Sequence, residues 1–119
     1  MAKKILLIED DSDVREALKL RLEADGYEVA QAGDGQEGLA VYEQEKPDLI
    51  ILDTGLPKMD GFTFVKVFKS KYSIEATPIL VLTGRSGMQE PFELEGVRAF
   101  LTKPCSGDEL VEEIRTILN

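Results

Sequence analysis

Acids, a hydroxyl and an ammonium stand directly behind separate apolar runs of this chain. The run at residues 5–8 (ILLI) ends in Glu9, Asp10 and Asp11. The run at 49–52 (LIIL) ends in Asp53, and the run at 79–82 (ILVL) ends in Thr83. The strand candidate 97–101 (VRAFL) is followed, after Thr102, by Lys103 and Pro104. If these runs are neighbouring parallel strands, their tips lie roughly 5 Å apart. At an effective dielectric of about 20, two carboxylates at that spacing repel by roughly 3 kcal/mol. Such a cluster calls for a cation, and hard oxygen ligands without His or paired Cys favour Mg²⁺ or Mn²⁺. Mg²⁺ keeps several waters and is usually completed by phosphate oxygens. A nearby lysine and a hydroxyl suit the remaining oxygens of a phosphoryl group. The set describes a phosphoryl-transfer site, and a carboxylate can be its nucleophile, forming an aspartyl phosphate.

The elements that must position these groups follow from periodicity. After the first run, Val14, Ala17, Leu18 and Leu22 repeat at helical spacing, and Asp25-Gly26 closes the segment. Residues 27–30 are a short strand candidate. Asp34 caps a second helix, with Glu37 placed as in a capping box and Pro47-Asp48 ending it. A turn at 56–61 (LPKMDG) leads into a third helix over about 62–72. Residues 85–96 are the least regular part, where Pro91 can start a short helix with Phe92 and Leu94 as apolar positions. Residues 97–101 form a last strand. Ser106 and Glu109 make a second capping box before a helix striped by Leu110, Val111, Ile114 and Ile117. Continuous apolar strands alternating with helices predict a single α/β domain over residues 1–119, with a parallel sheet covered on both faces.

The runs ILLIEDD, LIILDTGLPKMDG, ILVLTG and FLTKP resemble, in order and on the right elements, the receiver domain of two-component response regulators. The resemblance covers essentially the whole chain. It implies the doubly wound, flavodoxin-like sheet of order 2-1-3-4-5. Carried over residue by residue, it implies that Asp53 is the phosphoacceptor. Asp10 would be a direct metal ligand, with Glu9 its acidic partner and the Gly55 carbonyl a further ligand. Thr83 would bond a phosphoryl oxygen, Lys103 would pair with the phosphoryl group, and Phe100 would be the aromatic switch residue. The implied partners are a sensor histidine kinase or phosphotransfer protein, and an output domain or effector protein. Gly55 and Arg85 occupy positions that modulate dephosphorylation across the family. Plainer roles exist for some of these residues. Asp10 can cap the first helix, Phe100 can be simple core, and Cys105 reads as an inert thiol.

The chain also departs from the family. The segment from Thr83 to Lys103 is short, Gly96-Val97-Arg98-Ala99 replaces the common Gly-Ala and two acids, and Pro91 falls in the helix-four region. Helix four is therefore expected to be short or displaced, away from the family's common helix-four dimer.

One motif competes. Residues 33–38 read GDGQEG, which fits the G-x-G-x-x-G turn of dinucleotide sites, and Asp53 follows Gly33 by 20 positions, where the ribose ligand is wanted. Yet Asp34 and Glu37 place acids where a pyrophosphate would sit. The preceding strand falls at a sheet edge rather than at the topological switch point. The turn and the cap of the second helix explain the motif better.

Composition narrows the rest. The 119 residues carry 14 Lys plus Arg against 23 Asp plus Glu, a net charge of −9, which argues against direct nucleic-acid binding by this domain. No His is present, so a transferable phosphohistidine must come from a partner. The single Cys105 excludes an internal disulfide and points to a reducing cytoplasm. The start MAKKILLI imitates a signal peptide, but its apolar run stops at the acids. No apolar run approaches a membrane span. A phosphatase-like enzyme would need a second acid–base group and a substrate pocket, for which the sequence offers no candidate. The main alternative to a working receiver is a degenerate one that acts only as a protein-interaction module.

Overall fold

The computed structural model describes residues 2–56, 58–84 and 89–119. Strands and helices alternate as β1 (Lys4–Ile8), α1 (Ser12–Ala24), β2 (Glu28–Ala32), α2 (Gly35–Glu45) and β3 (Leu49–Asp53). They continue as α3 (Gly61–Lys71), β4 (Ile79–Thr83), α4 (Gln89–Leu94), β5 (Ala99–Thr102) and α5 (Gly107–Leu118). The five strands form one parallel sheet of order β2-β1-β3-β4-β5, as expected.

Alternation along the strands divides the core into two layers. Leu6, Ile8, Ile50, Leu52, Ile79 and Val81 pack with Phe64, Val65, Phe68 and Phe92, on the side of α2, α3 and α4. Ile5, Leu7, Leu49, Ile51 and Leu80 pack with Leu22, Leu110, Val111 and Ile114, on the side of α1 and α5. Central strands buried on both faces explain why their sequences read as unbroken apolar runs.

Two strands begin later than expected, and for one reason. β2 starts at Glu28 rather than Tyr27, and β5 at Ala99 rather than Val97. In both places the helix before ends in a left-handed glycine, Gly26 at φ +94° and Gly96 at φ +96°. The next amide reaches back over the last turn, Tyr27 to the Leu22 carbonyl and Val97 to the Phe92 carbonyl. The glycine amides bond Glu23 and Glu93. This is the Schellman helix end, whose following residue is commonly apolar. Tyr27 and Val97 therefore finish helices rather than open strands. On α4, Phe92 is fully buried but Leu94 is 77% exposed, so only the first of its two expected apolar positions faces the core. On α1, Leu18 and Leu22 pack on the sheet while Val14 is exposed.

The turn after β3 is held by a close approach. Gly61 donates its amide to the Thr54 carbonyl at 3.2 Å, and a Cβ at Gly61 would lie 2.7 Å from the Thr54 Cα. Backbone cannot swing aside as a side-chain tip can. Gly61→Ala is expected to lower stability by about 1–3 kcal/mol. The urea midpoint measures this, and a midpoint equal to that of the unmodified chain would show that the turn relaxes without cost.

Candidate functional site

The carboxyl ends of β1, β3, β4 and β5 meet at one rim of the sheet. Glu9 leaves β1 and is buried, its amide bonded to the Ala32 carbonyl. Asp10 is exposed beside it. It does not cap α1: the cap is Asp11, whose side chain accepts from the amides of Asp13 and Val14. Asp10 is thus left available to the rim. Asp53 is the last residue of β3, and its register partner is Leu82 of β4. One carboxylate oxygen from each of Glu9, Asp10 and Asp53 falls within 4.8 Å of the others. Hard, anionic oxygens from three strand-end residues fit a divalent cation of the Mg²⁺ type.

Lys103 enters from β5. Its amide bonds the Thr83 carbonyl at 2.6 Å, which fixes where the side chain starts. Its Nζ lies 3.3 Å from Glu9 Oε1 and 3.7 Å from Asp53 Oδ1. Partial burial works against the ammonium, but the carboxylates of Asp53 and Glu9 outweigh it and raise its pKa above the ordinary lysine value. Gly55 sits exposed in the turn, its amide 3.4 Å from Asp53 Oδ1, and nothing lies within 4 Å of where its Cβ would be.

Glu9 carries the cost of the cluster. Burial first, then the hydrogen bond and like charge of Asp53, push its pKa from 4.5 up to about 7, against the pull of the Asp11 amide and Lys103. The folded chain therefore holds this proton more tightly than the unfolded chain. The associated stability is fully present below about pH 4.5 and is lost as pH rises through about 7. Replacing Glu9 by Gln removes this dependence. Without metal, the stability advantage of Glu9→Gln over the unmodified chain should widen from pH 5 to pH 8. Chemical denaturation in a chelating buffer measures it, and a gap independent of pH would remove Glu9 as its source. With Mg²⁺ the ordering should reverse at pH 8.

Thr83 and Phe100 belong to the other layer. Thr83 is buried and accepts a hydrogen bond of 2.6 Å from the Thr54 hydroxyl. Phe100 is half-buried, paired through β5 with Val81, and its ring centroid is 5.9 Å from that of Phe92. Phe92 in turn packs edge-on against Phe62 at 5.3 Å. Arg85 lies outside the described residues.

Two contacts at the rim were not foreseen from sequence. Arg15 Nη1 donates to the Glu9 carbonyl at 2.6 Å, bracing the backbone that carries the acids. Thr54 is the other. Its position next to Asp53 was the available signal, but its partner is set by strand register, which the chain alone does not give.

GDGQEG has a structural explanation. The Glu37 amide bonds Asp34 Oδ1 at 2.8 Å, and the Gly33 amide bonds Glu37 Oε1 at 2.6 Å. The expected capping box is thus shifted, since Glu37 reaches the residue before the cap. Two carboxylates occupy amides that a pyrophosphate would need. A Cβ on Gly38 would meet Ile8 Cδ1 at 2.6 Å, and one on Gly35 would meet Met59 at 3.0 Å. These glycines serve close packing at the edge of the sheet.

Comparison with known proteins agrees with this architecture. Residues 5–115 match the response regulator receiver domain family. The chain is 37% identical over 117 residues to the DNA-binding dual master transcriptional regulator RpaA of Synechocystis sp., covering 97% of this chain and 48% of that protein. It is 40% identical over 123 residues to the alkaline phosphatase synthesis transcriptional regulatory protein PhoP of Bacillus subtilis, covering 99% and 49%. The chain spans about half the length of these curated relatives. Among solved structures it resembles the chemotaxis response regulator CheY4 of Vibrio cholerae, with a TM-score of 0.91 at 32% identity over 99% of this chain and 100% of that one. The chain belongs to the response regulator receiver domain family, a family of phospho-signalling domains. Among the described residues, no helix is long and apolar enough to cross a membrane.

Proposed function

We propose that this domain is a phosphorylation-controlled receiver that takes a phosphoryl group onto Asp53 from the phosphohistidine of a sensor histidine kinase or phosphotransfer protein. The observation that carries the reading is the convergence of Glu9, Asp10 and Asp53 oxygens within 4.8 Å, with the Lys103 ammonium against two of them. Glu9, Asp10, Asp53 and the Gly55 carbonyl would hold Mg²⁺. When bound, the ion supplies positive charge to phosphoryl oxygens. An Asp53 carboxylate oxygen attacks phosphorus in line, the N–P bond breaks, and its electron pair leaves with the donor imidazole. Lys103 neutralises charge developing on the phosphoryl oxygens. Thr83 then bonds a phosphoryl oxygen and Phe100 turns inward, which shifts a two-state equilibrium at the α4, β5 and α5 surface toward an output domain or effector. The domain promotes its own phosphorylation and hydrolysis and is not a turnover enzyme. With its charge of −9 it binds no nucleic acid itself, and it works in the cytoplasm.

Intact mass after incubation with acetyl phosphate and Mg²⁺ tests the reading. One phosphoryl group per chain is expected, lost when Mg²⁺ is chelated beforehand and released by mild base as from an acyl phosphate. A chain that binds Mg²⁺ yet gains no mass would overturn it and leave an interaction module.

A further inference from the structure

Strand phase sorts the rim residues into two sets. Glu9, Asp53 and Lys103 continue the alternation of Ile5 and Leu7, of Leu49 and Ile51, and of Ala99 and Leu101, which face α1 and α5. Thr54, Thr83 and Phe100 continue the opposite alternation, that of Ile50 and Leu52 and of Ile79 and Val81, and Phe100 itself packs in that layer. Extending the β3–β4 register one step past Asp53↔Leu82 makes Thr54 and Thr83 direct cross-strand neighbours, and their hydroxyls meet at 2.6 Å. Thr54 has little room to drift. Its carbonyl accepts from Gly61, and its Cα and Cγ2 lie 2.7 and 3.1 Å from where a Gly61 Cβ would stand.

From this geometry we infer that the Thr54 hydroxyl is a latch: it holds Thr83 on the α3–α4 face in the resting domain and sets the threshold for Thr83 to engage a phosphoryl group on Asp53. The inference rests on the phosphoacceptor reading above and adds to it a positioning residue on the neighbouring strand. Asp53 continues the opposite strand phase, so to donate to a phosphoryl oxygen there the Thr83 hydroxyl has to turn away from the position in which it accepts from Thr54. Each phosphorylation event exchanges the Thr54 contact for a phosphoryl contact, so the strength of the first subtracts from the stability of the phosphorylated form. A methyl in place of the Thr54 hydroxyl keeps the shape and removes the latch. A serine keeps the latch and removes only the methyl.

The test compares the unmodified chain, Thr54→Val and Thr54→Ser with acetyl phosphate as donor and Mg²⁺ present, following mass gain and the lifetime of the acyl phosphate after donor removal. Thr54→Val should raise the steady-state phosphorylated fraction, with the phosphorylated-to-free ratio up by about three- to tenfold, and Thr54→Ser should stay near the unmodified ratio. In parallel, the methyl NMR signal of Thr83 in Thr54→Val without donor should move toward its position in the phosphorylated unmodified chain. A merely structural role would not move it that way. If the unmodified chain is labelled and Thr54→Val is labelled equally or less, the latch is wrong and the phosphoacceptor reading stands. If the unmodified chain is not labelled, both fall.

Discussion

Asp53→Asn should abolish the phosphoryl gain entirely while making the metal-free domain more stable. The loss follows from chemistry. An amide oxygen carries no full negative charge and cannot form a stable acyl phosphate. Glu9 is buried, and Asp10, exposed on the loop from β1, is the proposed metal ligand rather than an acceptor. The gain in stability follows from electrostatics. Asp53 helps hold the Glu9 pKa up near 7, and a neutral neighbour relieves that repulsion. Lys103 keeps its shorter contact, 3.3 Å to Glu9. A gain on the order of 1 kcal/mol is expected. Intact mass with acetyl phosphate and Mg²⁺ reads the first effect, and urea unfolding in chelator reads the second. Full labelling of Asp53→Asn would place the acceptor elsewhere. A less stable variant would show that Asp53 is held by favourable contacts rather than endured.

Lys103→Met should separate metal binding from phosphoryl transfer. The ammonium now competes with any cation for Glu9 and Asp53, which it approaches at 3.3 and 3.7 Å. Its removal leaves the acids more negative, and Mg²⁺ affinity should rise by roughly fivefold. Phosphorylation should nevertheless fall by about 100-fold, since the charge that meets the phosphoryl oxygens is gone. Titration with Mg²⁺ and the rate of mass gain read the two effects on one sample. A variant labelled at the unmodified rate would remove Lys103 from the chemistry. Weakened Mg²⁺ binding would mean that Lys103 organises the acids instead of opposing the metal.

The parts of this molecule visible in its sequence are those dictated by burial and by chain direction. Runs such as LIIL and ILVL are apolar on both sides because their strands are covered on both faces, so β1, β3 and β4 fall where expected. An acid after such a run has to sit at a strand end, which is how Glu9 and Asp53 stand out. Tyr27 and Val97 mislead because a Schellman helix end and the start of a strand both present an apolar residue after glycine, and only the backbone hydrogen bonds distinguish them. Leu94 misleads because a helix as short as Gln89–Leu94 presents a narrow buried face, which Phe92 fills. Asp10 and Asp11 are adjacent acids that either could cap α1. The cap falls to Asp11 because its side chain meets the amides two and three residues on. The Thr54–Thr83 contact is invisible for another reason: it depends on how two strands 29 residues apart slide against each other.

The division of the core has a further consequence. Glu9, Asp53 and Lys103 continue the strand phase of the α1–α5 layer, while Thr83 and Phe100 continue that of the α2–α4 layer, with the sheet as a wall between them. On the phosphoacceptor reading, substitutions deep in the α1–α5 layer should act first on the chemistry at Asp53, and those deep in the α2–α4 layer first on the surface that responds to it. The two properties can then diverge independently under selection, joined only at the few strand-end residues where the wall stops.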